Sequence, residues 1–168
     1  EDLFQEIIQN LLDNAIKYHK EYIATVEKPT ANDLAKLGQL HTQKAGTLEG
    51  DAQKEELKNA DVAYEDLQNR YENAIEYATF MRARVNSYQD PDQKLGLALP
   101  FYQKLEEMIA PKETKDKADN ARLIEAYRYM ISYYYVAKDD KAKATEFAHK
   151  LLKIDPENDI AKQVLGVK

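Results

Sequence analysis

Residues 125–158 read EAYRYMISYYYVAKDDKAKATEFAHKLLKIDPEN, a helix-length apolar pattern, a turn near Asp139, and a second such pattern. Counting Glu125 as position 1, Ile131 and Ser132 fall at 7 and 8, Tyr135 at 11, Ala144 at 20, Leu151 at 27 and Pro156 at 32. Small residues at 8 and 20 suit the place where two helices of a hairpin approach, since a larger side chain would push them apart. The large residues beside them fill the gaps between hairpins. Pro156 ends the pattern because proline removes a helical N–H. The stretch therefore reads as one helix–turn–helix unit.

This spacing resembles a tetratricopeptide repeat (TPR), a 34-residue unit that stacks into a solenoid. Weaker copies lie upstream. Leu37-Gly38 resembles positions 7 and 8 of an earlier unit, with Ala60, Tyr64 and Leu67 in its second helix. Arg82-Ala83, with Val85 as a rival register, and Ala98, Tyr102 and Leu105 resemble a middle unit. The run from Asp13 to Tyr18 resembles the second helix of a preceding unit whose first helix is short or cut away. The position-20 alanines Ala15, Ala60, Ala98 and Ala144 stand further apart than one standard repeat, so the inter-helix turns carry insertions. Three positions depart from the pattern: Asp139 replaces glycine at 15, Arg128 replaces a large apolar residue at 4, and Ala148 stands at 24.

The words VEKPTANDLAKLGQLHTQKAGTLEG (26–50), ADVAYEDL (60–67), MRARVNSYQDPD (81–92), LALPFYQKLEEMI (97–109) and AYRYMISYYY (126–135) resemble a Bacteroidota TPR family with such insertions. The resemblance implies an all-α, right-handed superhelix of antiparallel helical hairpins. It divides a single domain into a partial repeat (1–29), three repeats (30–73, 74–111 and 120–158) and a capping helix (159–168). It also implies an envelope-associated scaffold that binds other proteins rather than an enzyme.

Composition is consistent with that class. Of 168 residues, 43% are hydrophobic and 32% charged, enough for a core beneath a solvated surface. The net charge of −6 argues against nucleic acid, whose binders carry a basic face, and weakly favours a neutral or basic partner. There is no cysteine, which excludes disulfides and thiolate metal sites. No apolar run is long enough to span a membrane, and no signal peptide opens the chain. A start at Glu1 rather than Met reads as a trimmed piece.

Helical periodicity runs along the chain. Phe4, Ile7, Ile8, Leu11, Leu12, Ala15, Ile16 and Tyr22 form the stripe of a buried first helix. Lys28-Pro29-Thr30 breaks it, and Asn32 or Asp33 caps a second helix with Leu34, Leu37, Gly38 and His41 on one face. A charged helix from about Ala52 carries Leu57, Ala60, Tyr64 and Leu67. The next covers 74–88 and stops at Asp90-Pro91-Asp92. Pattern resumes from Leu95 to Ile109, kinked or started late at Pro100. Residues 111–120 read as a solvated loop or polar helix extension. Asn158 or Asp159 caps a last short helix.

In TPR arrays positions 2, 5, 9 and 12 of each first helix line the concave groove. The resemblance thus points to Asn32, Ala35, Gln39 and Thr42, to Tyr77, Phe80, Arg84 and Ser87, and to Ala126, Tyr129, Tyr133 and Val136. An aromatic groove with polar donors suits an extended peptide or amphipathic helix. The competing reading is that Phe80, Tyr129 and Tyr133 pack between repeats. Consecutive helical tyrosines point about 100° apart, so Tyr133-Tyr134-Tyr135 cannot form one flat sugar platform; Tyr135 falls on the core. His19, His41 and His149 lie on separate helices without a zinc pattern. Asp90-Pro91-Asp92 begins like a calcium loop, but Leu95 stands where its glycine belongs. The pairs Glu55-Glu56, Glu106-Glu107 and Asp139-Asp140 are adjacent and diverge, so none makes an acid/base couple. The expectation is a non-enzymatic scaffold without cofactor or metal, binding a protein or peptide through Asn32, Gln39, Tyr77, Phe80, Arg84, Tyr129 and Tyr133. The alternatives are an envelope glycan-binding module using groove tyrosines, and a structural spacer or self-association domain.

Overall fold

The structure, a computed structural model, describes residues 2–167. Those residues form α1 (Asp2–Thr25), α2 (Ala31–Ala45), α3 (Gly50–Arg70), α4 (Ile75–Gln89), α5 (Leu99–Ile109), α6 (Lys117–Ser132), α7 (Lys141–Ile154) and α8 (Asp159–Leu165), with no strand among them. A π-helical turn, Tyr133–Ala137, comes directly after α6. The chain divides into two compact units, 1–89 and 90–168. This division falls inside the 74–111 stretch that the sequence reads as one repeat.

In the N-terminal unit successive helices pack on one another, α1 on α2, α2 on α3 and α3 on α4. The second helix is capped by Thr30, not by Asn32 or Asp33. The Thr30 Oγ1 accepts the Asp33 N–H, while the Asp33 carboxylate accepts the Thr30 N–H at 2.8 Å, a reciprocal capping box. Leu34, Leu57, Ala60, Tyr64, Leu67, Ala78 and Val85 form the core. Gly38 lets α2 and α3 meet there, because a Cβ at this position would lie 2.6 Å from the Tyr64 ring.

One expectation for α1 is corrected. Ile16 is buried, and Ile8, Leu12, Ala15 and Ile23 are half-buried, but Leu3, Phe4, Ile7, Leu11, Tyr18 and Tyr22 are exposed. The helix is apolar over a wider arc than α2 covers, so one stripe packs and the other faces outward. Polar contacts fix the packed side: Gln9 donates to the Thr47 carbonyl at 3.0 Å, and His19 Nε2 lies 2.8 Å from the Asp33 carbonyl oxygen.

A polar cluster around buried His41 ties α1, α2 and α3 together. Glu56 receives Lys44 Nζ at 2.7 Å and lies 2.6 Å from His41 Nδ1, and Lys44 also reaches Asp13 at 2.6 Å. Burial penalises the charged imidazole and holds His41 below its ordinary value of 6.5, against the pull of Glu56. Burial also pushes Glu56 up, but the hydrogen bonds from Lys44 and His41 outweigh it and keep its carboxyl below the usual range.

In the C-terminal unit α5 packs on α6, α6 on α7 and α7 on α8. Proline occupies the first turn of α5, where no helical N–H is lost, so the helix starts late. Asp116 and Asp119 make a second capping box that begins α6 within the polar 111–120 segment. Asn158 caps α8 as expected. The loop before α5 is organised by buried Asp90, whose Oδ2 accepts the N–H groups of Leu95 and Gly96 at 3.0 and 2.7 Å. Gly96 has φ +68°, and a Cβ on it would stand 2.7 Å from the Tyr133 ring.

The tyrosine run is also corrected. The π turn, closed by the Lys138 N–H on the Tyr133 carbonyl at 3.1 Å, carries an extra residue and so rotates the side chains beyond Tyr134 out of the regular helical register. Tyr135, expected in the core, is 43% exposed, whereas Tyr133 and Tyr134 are buried. Tyr134 stacks on Phe147 of α7 at 5.7 Å.

Two outcomes test this account. Gly38→Ala gains about 1 kcal/mol of helix propensity but forces a methyl against a fully buried ring, so urea unfolding shows a net loss of about 1–2 kcal/mol. Because folding lowers the His41 pKa, the unfolded chain binds that proton first, and stability falls as pH drops below 6.5. Glu56, also lowered, adds its loss below 4.5. Urea midpoints for His41→Gln lose the upper part of this pH dependence and keep the lower.

Candidate functional site

The polar-aromatic residues of α2 and α4 meet on one face of the N-terminal unit. Gln39 Nε2 donates to the Tyr77 hydroxyl at 3.2 Å, bridging the two helices. Tyr77 sets its ring edge-on to Tyr64, with centroids 6.4 Å apart. Phe80 and Arg84 come after Tyr77 at i+3 and i+7, on the same side of α4. The Arg84 guanidinium stands 4.9 Å above the Phe80 ring, a cation–π pair that holds both side chains in place. Gln39 is exposed, and Tyr77, Phe80 and Arg84 are half-buried. Asn32 lies exposed two turns before Gln39 on α2, away from the Gln39–Tyr77 bridge.

The other side of α4 is fastened to α3 by charge. Arg82 grips Asp61 with two nitrogens at 3.0 and 3.1 Å, Glu65 at 2.8 Å and Gln68 at 3.2 Å. Asn86 adds a donor to Asp61 at 2.9 Å. The apolar residue buried here is Val85, not Arg82. The polar side of α3 and the spacing of Arg82 from Asn86 carried this signal in the sequence, but the repeat pattern masked it.

Tyr129 and Tyr133, placed in the groove by the repeat pattern, are buried at 6% and 7% exposure. Their rings continue a stack that begins on Tyr102, with centroids 4.8 and 6.3 Å apart. They pack between α5, its preceding loop and α6, and burial pushes the Tyr129 hydroxyl up to about 12. Their planes lie 10° apart, yet neither presents a face to solvent, so they form no sugar platform. Among the described residues no group of three or more His, Asp or Glu could hold a metal ion. No described helix is long and apolar enough to cross a membrane.

No protein-family model and no curated protein matches the chain. Among solved structures it is similar to the C-terminal part of a TPR repeat-containing protein from Cytophaga hutchinsonii, a member of the Bacteroidota. The TM-score is 0.75 and the identity 30%, and the match covers 96% of this chain and 57% of that one. The chain thus spans little more than half of the structure it matches. It has the all-α, hairpin-built fold of a TPR protein, and its likeness to this bacterial one extends over nearly its whole length.

Proposed function

We propose that the chain is a non-enzymatic protein-interaction scaffold whose α2–α4 face binds a peptide or a segment of a partner protein, in the cell envelope. The observation that carries the proposal is the joining of Gln39, Tyr77, Phe80 and Arg84 into one half-exposed surface. Tyrosine and arginine are enriched among the residues that dominate binding energetics and phenylalanine among interface residues, and here they are pre-positioned in pairs. Asn32 extends the contact along α2, whereas Tyr129 and Tyr133 serve packing and drop out of it. Repeat folds of this type bind far more often than they catalyse, which agrees with the absence of an acid/base couple from the sequence.

Peptides selected from a random phage-displayed library against the whole chain test this reading. In calorimetry the Tyr77→Ala/Arg84→Ala variant binds them at least tenfold more weakly, with unchanged circular dichroism. Undiminished affinity for the double variant would show that the partner docks elsewhere.

A second reading, self-association, is favoured by the apolar stripe on α1. Exposed contiguous apolar surface of this kind marks protein contacts, and Leu11 at its middle is 63% exposed. Sedimentation equilibrium of the wild type then gives a mass that rises with concentration, and Leu11→Glu returns it to that of the monomer. A monomeric wild type at all concentrations removes this reading.

A further inference from the structure

A cleft in the C-terminal unit is absorbed by neither reading. It has a volume of about 310 Å³ and lies between the end of α6 with its π turn and α8. Ile131, Tyr135, Val136, Ile160 and Val164 supply apolar walls, and Arg128 stands at its rim. Val136 is 75% exposed although it borders this apolar space.

Two backbone features lie beside the cleft. The π turn leaves Tyr135 and Val136 exposed while Tyr133 and Tyr134 are buried. Asp139 just beyond it has φ +52°, a left-handed conformation that glycine would adopt more easily.

Charge indicates the occupant. Arg70 pairs with Asp66, and Arg82, Arg84 and Arg122 all have partners. Arg128 is exposed and makes no hydrogen bond or ion pair among the described residues. It also occupies the position where a TPR carries a large apolar residue. Arg128 is the one charged side chain lining the cleft, and charges more than about 8 Å away are largely screened at physiological salt.

We propose that this cleft docks an acidic segment of a partner protein, seating one branched aliphatic side chain against Tyr135, Val136, Ile160 and Val164 and pairing a neighbouring Asp or Glu side chain with Arg128. The volume lies at the small end of ligand pockets and suits one such anchor. The cleft and the α2–α4 face belong to different compact units.

The test titrates the ¹⁵N-labelled whole chain with the blocked hexapeptide Gly-Glu-Leu-Leu-Glu-Gly. Saturable amide shifts at Tyr135, Val136, Ile160 and Val164 are expected, weakening as salt rises. Replacing both Glu by Gln in the peptide, or Arg128→Gln in the protein, weakens binding about threefold to fivefold. Replacing both Leu by Ala abolishes it. Val136→Glu, at an exposed site, opposes the peptide charge and weakens binding further, with circular dichroism confirming the fold. No saturable shift at these amides with millimolar peptide overturns the proposal, as does equal affinity for the Glu and Gln peptides. Shifts of the same amides on dilution without peptide would mean that a second copy fills the cleft, which also overturns it.

Discussion

Two helices can approach to ring-contact distance only where one of them lacks a side chain, and Gly38 is that place in the N-terminal unit. The gap it leaves is filled by Tyr64, the largest fully buried side chain there. Around Tyr64 the apolar residues of α2, α3 and α4 close into one core. Tyr77 leans its ring on Tyr64 and holds Gln39 through its hydroxyl, so the outward surface of α2 and α4 inherits its geometry from that contact. Core packing and candidate binding surface are thus successive shells around one close approach.

The C-terminal unit uses a different arrangement of the same constraint. Gly96 admits Tyr133, and the Asp90 carboxylate gathers the amides that hold Gly96 in its left-handed conformation. Tyr133 then anchors the stack through Tyr129 to Tyr102. With Tyr133 and Tyr134 both committed inward, the π turn is the backbone's way of burying two adjacent aromatics, and the cost is that Tyr135 leaves the core.

Most of the fold was legible in the sequence because helix stripes, prolines and small residues act locally. The stripes of α2 and α3, the late start of α5 and the cap at Asn158 arise from residue type and spacing alone. The errors share a physical cause: each needed information from beyond one helix. Counting with a regular period could not reveal a π turn, so Tyr135, expected in the core, lies outside it. The apolar stripe of α1 announced burial, but how much of it α2 would cover depends on tertiary packing. Thr30 prevailed over Asn32 as a cap because Asp33 could answer it. At the candidate site, the repeat positions picked out Gln39, Tyr77, Phe80 and Arg84, which the structure places on one face of α2 and α4. For Tyr129 and Tyr133 the sequence offered both groove and packing, and it could not decide because Gly96 and Tyr102, which pack against them, lie far away in sequence.

The Arg82 cluster gives the α3–α4 contact a property that apolar packing lacks. Its three guanidinium nitrogens all find acceptors on Asp61, Glu65 and Gln68, and only this pair of helices carries that combination among the described residues. Repeat arrays are commonly regarded as interchangeable bricks, since each unit meets its neighbours through similar apolar faces. Here the order of the bricks is written in charge. Transplanting α4 onto another helix would leave a guanidinium half-buried without its carboxylates, so this array is addressed rather than modular.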